Sequence, residues 1–294
     1  QLLSIIKVFI RLLSIKAVYR KYDIMEITTL IGFVAVIGAL IFGIAYSDGG
    51  LNLSLLMNFV NGPSIFIVVG GTLFALLAAF PIDYFKRIPK HLKIIMNKDK
   101  KDPFEYVEII TELSREARKK GLLALEDKAL SFEDEFLKES VLLIVDAIEP
   151  DKLRSWLEQK LAYINNRNEE ERRIYQQGAT LAPAFGMIGT LIGLVNMLKS
   201  MNLENGPGTL GLDMSVALIT TFYGTVLANC LFIPISNKLE IAQEKEMLLK
   251  EMIIEGVVSI KEGENPKFIQ EKLLNFLEQK EVKEKDNEDE KKEK

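Results

Sequence analysis

The sequence has very little of the chemistry that most enzymes and metalloproteins use. Its 294 residues include one cysteine, Cys230, and one histidine, His91. One cysteine allows no disulfide within the chain, and one histidine allows neither a histidine cluster nor a recognisable Ser/His/Asp arrangement. Walker, Rossmann and zinc-ligand spacings are missing as well. We therefore expect a protein that is not an enzyme and that holds no permanent metal ion or cofactor.

Charge is small overall and is missing from four long stretches of the sequence. The net charge of −4 gives no reason to expect a nucleic-acid partner. A bilayer core is crossed by roughly 20 apolar residues of helix, and backbone groups in hydrocarbon must bond within the helix. Four uncharged runs of this length are difficult to bury in a soluble core. The sequence predicts an all-α integral membrane protein with four transmembrane helices, at residues 25–46, 64–82, 179–199 and 214–236.

Basic residues near the ends of these spans lie on one side of the membrane. They are Lys16, Arg20, Lys21, Lys86, Arg87, Lys90, Lys93, Arg167, Arg172, Arg173, Lys238 and Lys245. The opposite loops, Ser47–Pro63 and Lys199–Asp213, contain only Lys199. Lys and Arg accumulate in cytoplasmic loops, so we expect both termini and the segment between spans two and three to be cytoplasmic.

Four segments lie outside the predicted spans. Residues 1–24 are apolar with regularly spaced Lys and Arg, which is typical of a cationic amphipathic helix on the lipid bilayer. Residues 83–178 and 237–279 have apolar residues at helical spacing, which predicts cytoplasmic helices. Residues 280–294 are almost wholly charged, which predicts a disordered tail.

Span three contains a row of glycines, and no predicted span has an Asp, Glu, Lys or Arg near its middle. Ionisable groups inside a membrane usually mark ion pathways, so this chain has no carboxylate relay of its own. Gly186, Gly189 and Gly193 follow one another at offsets of three and four, which places them on one side of a helix. Such small-residue rows let helices pack closely, and we interpret the glycines in this way.

Threonines give spans three and four their polar character. Thr190 lies on span three, and Thr220, Thr221 and Thr225 lie on span four. Each hydroxyl could simply bond a carbonyl of its own helix, but four hydroxyls on two neighbouring spans favour a polar path. Hydroxyl oxygens can ligate a hard cation, yet neutral oxygens alone would bind it weakly. A second chain must therefore supply the negative charge.

The sequence resembles the MotA/PomA family, the A subunits of flagellar stators within the ExbB/TolQ superfamily. The matching words are APAFGMIGTLIGL at Ala182–Leu194, VALITTFYGTVLANCLFIPISNKL at Val216–Leu239 and ARKKGLLALE at Ala117–Glu126. The order of two spans, a cytoplasmic domain and two further spans matches too. The resemblance covers residues 25 to about 279 and leaves residues 1–24 outside it.

The resemblance implies an ion-channel and torque-generating subunit in the bacterial inner membrane. In this family, five A subunits surround two copies of a MotB/PomB-type B subunit, which carries the ion-binding Asp and a peptidoglycan-anchoring domain. Ion influx is thought to turn the A ring, whose cytoplasmic domains push on the rotor protein FliG.

The resemblance also implies an ion pathway. Pro183 and Pro234 match the family's important prolines in spans three and four. Thr190 is typical of sodium-type A subunits, where many proton-type members have Ala, and Thr220 and Thr221 match the pair beside the ion site. We therefore expect sodium to pass transiently near these threonines, with the proton as the alternative ion.

Two charged residues match the pair that engages the rotor. Arg118 and Glu126 stand eight residues apart around Gly121, a spacing that could put both on one exposed surface. Without the resemblance they would be read as solvated surface charges.

Two other functions compete with the stator interpretation. An ExbB/TolQ-type protein energises outer-membrane processes by a similar mechanism, but such proteins usually have three spans and an external N-terminus. A membrane scaffold that conducts nothing would not need the threonines at positions 190, 220 and 221.

Overall fold

The computed structural model describes residues 24–47, 50–96, 101–146, 148–201 and 208–277. The predicted tail, residues 280–294, and the predicted amphipathic extension before residue 24 lie outside these ranges. The chain divides into two units, one formed by residues 1–98 and 174–236 and the other by residues 99–173 and 237–294. Each unit is described separately below.

Helices account for nearly all of the described residues. They are α1 (Ile24–Ala45), α2 (Gly62–Ala79), α3 (Ile82–Met96), α4 (Pro103–Lys120), α5 (Leu125–Ser131), α6 (Glu135–Val145), α7 (Pro150–Met201), α8 (Gly208–Val226), α9 (Ile233–Glu262) and α10 (Pro266–Leu274). Short 3-10 helices lie at Leu53–Phe59 and Leu122–Ala124, and π-helical turns lie at Phe66–Gly70, inside α2, and at Leu227–Phe232. Two short strands, β1 (Tyr46–Ser47) and β2 (Gly50–Leu51), pair antiparallel with Tyr46 opposite Leu51. The all-α fold class predicted from the sequence is confirmed at this level.

Three helical stretches among the described residues are long and apolar enough to cross a membrane. They are Gly62–Ala79, the helix Pro150–Lys199 and the helix Gly211–Glu262, and a shorter apolar helix covers Ile31–Ala45. The structure is thus that of an integral membrane protein, and the count of four spans stays a prediction.

The first unit contains the apolar helices. α1 contacts the 3-10 helix Leu53–Phe59, α3 and the π-helical turn Leu227–Phe232. α2 packs against α8. α2 begins where the Asn61 side chain accepts a hydrogen bond from the Ser64 N–H, with Pro63 in the first turn. It ends at Ala79, because Phe80 is extended and Pro81 follows. Predicted span two, at 64–82, therefore includes the break between two separate helices.

The second unit has its own apolar core, built by α4, α5, α6, α10 and the parts of α7 and α9 that belong to it. Its fully buried side chains include Ile110, Leu113, Leu125, Leu137, Ile144, Leu153, Leu157, Met252, Ile253 and Ile269. The apolar residues that recur at helical spacing in the sequence are the residues buried in this core.

Asp134 organises the start of α6. Its carboxylate accepts hydrogen bonds from the N–H groups of Phe136 (2.9 Å) and Leu137 (3.1 Å), from the Tyr106 hydroxyl (2.9 Å) and from Lys101 (2.5 Å). Burial alone would raise the pKa of Asp134, but the bonds from Lys101, Leu137 and Tyr106 outweigh it and hold that pKa below its ordinary value. The same carboxylate caps the helix and joins it to α4.

Candidate functional site

α7 and α8 meet along a seam of small residues. A Cβ atom added at Gly186 would lie 3.0 Å from the Thr220 carbonyl oxygen, and one at Gly189 would overlap the Thr220 side chain. A Cβ at Gly193 would lie 2.8 Å from the Ala217 backbone nitrogen. The packing role predicted for these three glycines is therefore confirmed.

α8 contributes a glycine of its own to this seam. A Cβ at Gly224 would lie 2.6 Å from the Ala182 carbonyl oxygen and 3.1 Å from the Pro183 Cα. Both of these neighbours are backbone atoms, which cannot rotate away as a side chain can. Pro183 therefore lies where the backbones of the two helices approach closely, inside an unbroken α7.

The hydroxyls of Thr190 and Thr221 lie 2.5 Å apart at the edge of the seam. The Thr190 hydroxyl also lies 3.1 Å from the Gly186 carbonyl oxygen and 3.0 Å from that of Ala217. Two hydroxyls have two protons to donate and four lone pairs with which to accept. Lone pairs are consequently left over on this pair, and they are available to a cation. Thr221 is exposed and Thr190 is half-buried, so the pair can be approached from outside the unit.

Thr220 lies about 100° around α8 from Thr221. It is fully buried against Gly189, and its hydroxyl donates within its own helix, to the carbonyl of Val216 (3.0 Å) or Ala217 (2.9 Å). The structure thus brings the Thr190 and Thr221 hydroxyls into direct contact. Thr220 has no direct contact with them, but its hydroxyl shares the Ala217 carbonyl oxygen with both.

Two further polar residues continue the exposed face of Thr221 along span four. The Thr225 hydroxyl donates to the Thr221 carbonyl (2.8 Å), and the Asn229 side-chain amide donates to the Thr225 carbonyl (2.9 Å). All three side chains are exposed and follow one another at intervals of four, so they form a polar row. We missed Asn229 in the sequence, although its spacing of four from Thr225 would have revealed it.

Pro234 follows a local widening of its helix. Proline lacks an N–H group, and its ring clashes with the carbonyl of the preceding turn in a regular α-helix. Here the turn Leu227–Phe232 is π-helical, and the Ile233 N–H donates to the Ala228 carbonyl five residues before it. The wide turn accommodates Pro234. This second of the two predicted pathway prolines lies just beyond the polar row.

Arg118 and Glu126 lie on either side of a tight turn in the second unit. Gly121 ends α4 with a φ of +87°, a left-handed conformation that favours glycine, and α5 begins at Leu125. Both charged side chains are exposed, and neither forms an ion pair with another described residue.

Some of the charges next to this turn are paired with each other, whereas the exposed Lys119 and Asp127 form no ion pair with another described residue. Lys128 and Lys120 both bond Glu116, and they lower the pKa of that carboxyl to about 2. Arg118 and Glu126 thus share their exposure and lack of ion pairs with Lys119 and Asp127, and all four charges are accessible at this turn.

No group of three or more His, Cys, Asp or Glu side chains that could hold a metal ion occurs within the described ranges.

Residues 128–252 match the MotA/TolQ/ExbB proton channel family. Motility protein A of Borreliella burgdorferi (strain ATCC 35210 / DSM 4680 / CIP 102532 / B31) is 39% identical over 253 residues, which are 86% of this chain and 94% of that protein. The chain belongs to the MotA/PomA family.

Other MotA/PomA relatives match a similar share of the chain. Chemotaxis protein PomA of Vibrio alginolyticus is 35% identical over 257 residues, covering 86% of this chain and 96% of that one. The structure of the flagellar MotAB stator complex from Bacillus subtilis superposes with a TM-score of 0.77 at 30% identity, covering 87% of this chain and 97% of that chain. This MotA/PomA protein is a stator ion-channel subunit of the flagellar motor and not an enzyme, and both predictions are confirmed.

Proposed function

We propose that this stator subunit conducts sodium ions past the Thr190–Thr221 pair and converts their influx into rotation of the flagellar rotor. The observation that carries the proposal is the 2.5 Å contact between two hydroxyls that keep unused lone pairs on an accessible face. Fixed protein oxygens replace the water oxygens that an ion loses inside the membrane. The name of the matching family refers to proton channels, so the preference for sodium over protons depends on these two hydroxyls.

The polar row extends the pathway beyond the hydroxyl pair. Thr225 and Asn229 present a hydroxyl and an amide on the same exposed face of α8 and of the turn that follows it. Polar side chains that face lipid are costly, so this face is better suited to a partner helix or to water. Thr220 stabilises the seam and has no direct contact with the ion in this scheme.

A second chain must supply the charge that compensates the sodium ion. The predicted spans contain no carboxylate near their middle. Solved complexes of MotAB are similar in structure to this chain, which supports a B subunit as the partner. By family resemblance, five copies of this chain surround two copies of a MotB/PomB-type subunit.

We place the protein in the bacterial inner membrane with four spans and both termini in the cytoplasm. α1 corresponds to predicted span one and completes the set of four, because its 22 residues give about 33 Å of helix, enough for a bilayer core. The basic residues flanking the spans support the orientation.

The turn between α4 and α5 is proposed as the contact with the rotor protein FliG. Arg118 and Glu126 are exposed on opposite sides of Gly121 and free of ion pairs among the described residues. Such charges are poised to pair with a partner of complementary charge.

The sodium pathway is tested by swimming speed against external sodium, with the B subunit present and with a protonophore as a second arm. Thr221→Val and Thr190→Ala should each shift the speed curve to higher sodium, since each removes one ligand oxygen. Thr180→Val is the matched control, because the exposed Thr180 hydroxyl bonds only the Gln176 carbonyl of its own helix. Normal sodium dependence in both pathway variants, or abolition of wild-type swimming by the protonophore alone, would contradict sodium conduction.

The rotor contact is tested by charge reversal. Arg118→Glu and Glu126→Lys should reduce rotation while leaving the amount of protein in the membrane unchanged, because exposed charges contribute at most about 1 kcal/mol to stability. Arg115→Glu, at an exposed position on the same helix, is the control. Loss of the Arg118 variant from the membrane would show that this residue holds the fold.

A further inference from the structure

The short helix α3 has three different faces. At about 100° per residue, one face of it carries His91 and Ile95, which are buried within the first unit. The other two faces are exposed, and they differ sharply in chemistry.

The second face is apolar although it is exposed. Ile82 is 59% exposed, Leu92 41% and Met96 67%. On a helical wheel these three side chains fall within about 80° of one another. An exposed stripe of large apolar side chains on one helix marks a contact with lipid or with another protein.

The third face is basic apart from the exposed Ile94, and it adjoins the apolar one. Lys93, Lys86, Lys90 and Arg87 fall within about 120° of one another on the wheel. Lys86 bonds Asp83, the only acidic residue of this helix, at 2.7 Å, so cations outnumber anions here by four to one. Lys90 and Lys93 are exposed and form no ion pair with another described residue.

Two connections place this helix beside the apolar helices. α2 ends at Ala79, and Phe80 (φ −126°, ψ 142°) and Pro81 separate it from the start of α3 at Ile82. In addition, the ring nitrogen Nδ1 of His91 lies 3.0 Å from the hydroxyl of Tyr175. Tyr175 stands just before the apolar part of α7. The helix is therefore held at the boundary of the membrane-spanning segments.

We propose that α3 lies in the headgroup layer of the bilayer and binds anionic phospholipids. The apolar face enters the acyl-chain region, and Lys90 and Lys93 bond the lipid phosphates, with Lys86 and Arg87 beside them. A basic sector next to an apolar sector is the arrangement that binds helices to anionic membrane surfaces. The occupant is the surrounding lipid and not a second copy of this chain, because four cations against one carboxylate require an anionic partner.

The test measures binding of dioleoylphosphatidylglycerol to the full chain in detergent by native mass spectrometry. A lysine near an anionic surface contributes about fivefold in affinity, so Lys90→Gln with Lys93→Gln should weaken binding roughly 30-fold. The pair Lys119→Gln with Lys267→Gln, at exposed positions in the second unit without ion pairs among the described residues, is the matched control and should bind normally. Lys90→Arg with Lys93→Arg should restore the affinity, which excludes misfolding as the cause.

Three results would overturn the proposal. The first is an unchanged affinity in the Lys90 and Lys93 double glutamine variant. The second is equal weakening in the control pair, which would mean that any lysine serves. The third comes from Leu92→Ser with Met96→Ser. If this variant lowers the oligomeric mass of the chain but keeps its lipid affinity, the apolar face joins copies of the protein.

Discussion

Alanine at Gly224 gives the sharpest test of the seam between α7 and α8. The added methyl group would lie 2.6 Å from the Ala182 carbonyl oxygen, whereas ordinary contact begins at about 3.4 Å. The helices would have to separate locally by about 0.8 Å, because the atoms in the way belong to the backbone. Overpacking of this kind costs about 1–3 kcal/mol, partly offset by the better helix propensity of alanine.

Gly38→Ala in α1 is the matched control, because a Cβ there meets no heavy atom within 4 Å. We expect the free energy of unfolding of the Gly224 variant to be lower than that of the Gly38 variant by about 2 kcal/mol. Unfolding in mixed micelles of increasing dodecyl sulfate content, followed by far-ultraviolet circular dichroism, measures both values. If the two variants unfold within about 0.5 kcal/mol of each other, the helices tolerate separation and the seam is not a close contact.

Three further outcomes follow from the described contacts. Thr220→Val should lower stability by about 1 kcal/mol and leave the sodium dependence of swimming unchanged, because its hydroxyl bonds only its own helix; a sodium shift as large as that of Thr221→Val would contradict the placement. Tyr175→Phe should cost about 1–2 kcal/mol in the same unfolding assay, since it removes the buried hydroxyl that faces His91. Asp134→Asn should lower the melting temperature at neutral pH. Because the folded-state pKa of Asp134 lies below the ordinary 3.8, its contribution is complete above that pH and is lost as the pH falls through the folded value. The melting curves of wild type and variant should therefore converge in acid, and a constant difference down to pH 2 would exclude the charge as the cause.

The fold was largely predictable, because hydrocarbon imposes helix on any long uncharged segment. The sequence also predicts the glycine packing, since three small residues at offsets of three and four have few other uses. The break after Ala79 was harder to see, because Phe80 and Pro81 continue an uncharged run and only their backbone geometry separates two helices.

The site was predictable only in part, because residue type does not reveal which side of a helix faces a neighbour. Thr220 and Thr221 are adjacent in sequence, yet about 100° of rotation buries one against Gly189 and exposes the other beside Thr190. Asn229 escaped attention because a lone amide has no distinctive chemistry until it is seen in line with Thr225. Arg118 and Glu126 could be selected only by family resemblance, since the chain has many exposed charges.

The π-helical turn at Leu227–Phe232 shifts the part of span four beyond it to faces different from those that the same sequence would have in a continuous α-helix. A turn of this kind holds about one residue more than an α-helical turn, so deleting one residue there would leave a regular α-helical turn and keep the residues on either side near their present faces. Thr221 and Thr225 before the turn and the buried Ile235 and Ser236 beyond it would then keep their respective neighbours. We therefore expect such a deletion to disturb Pro234, whose ring would meet a carbonyl of the regular turn before it, more than the register of the helix.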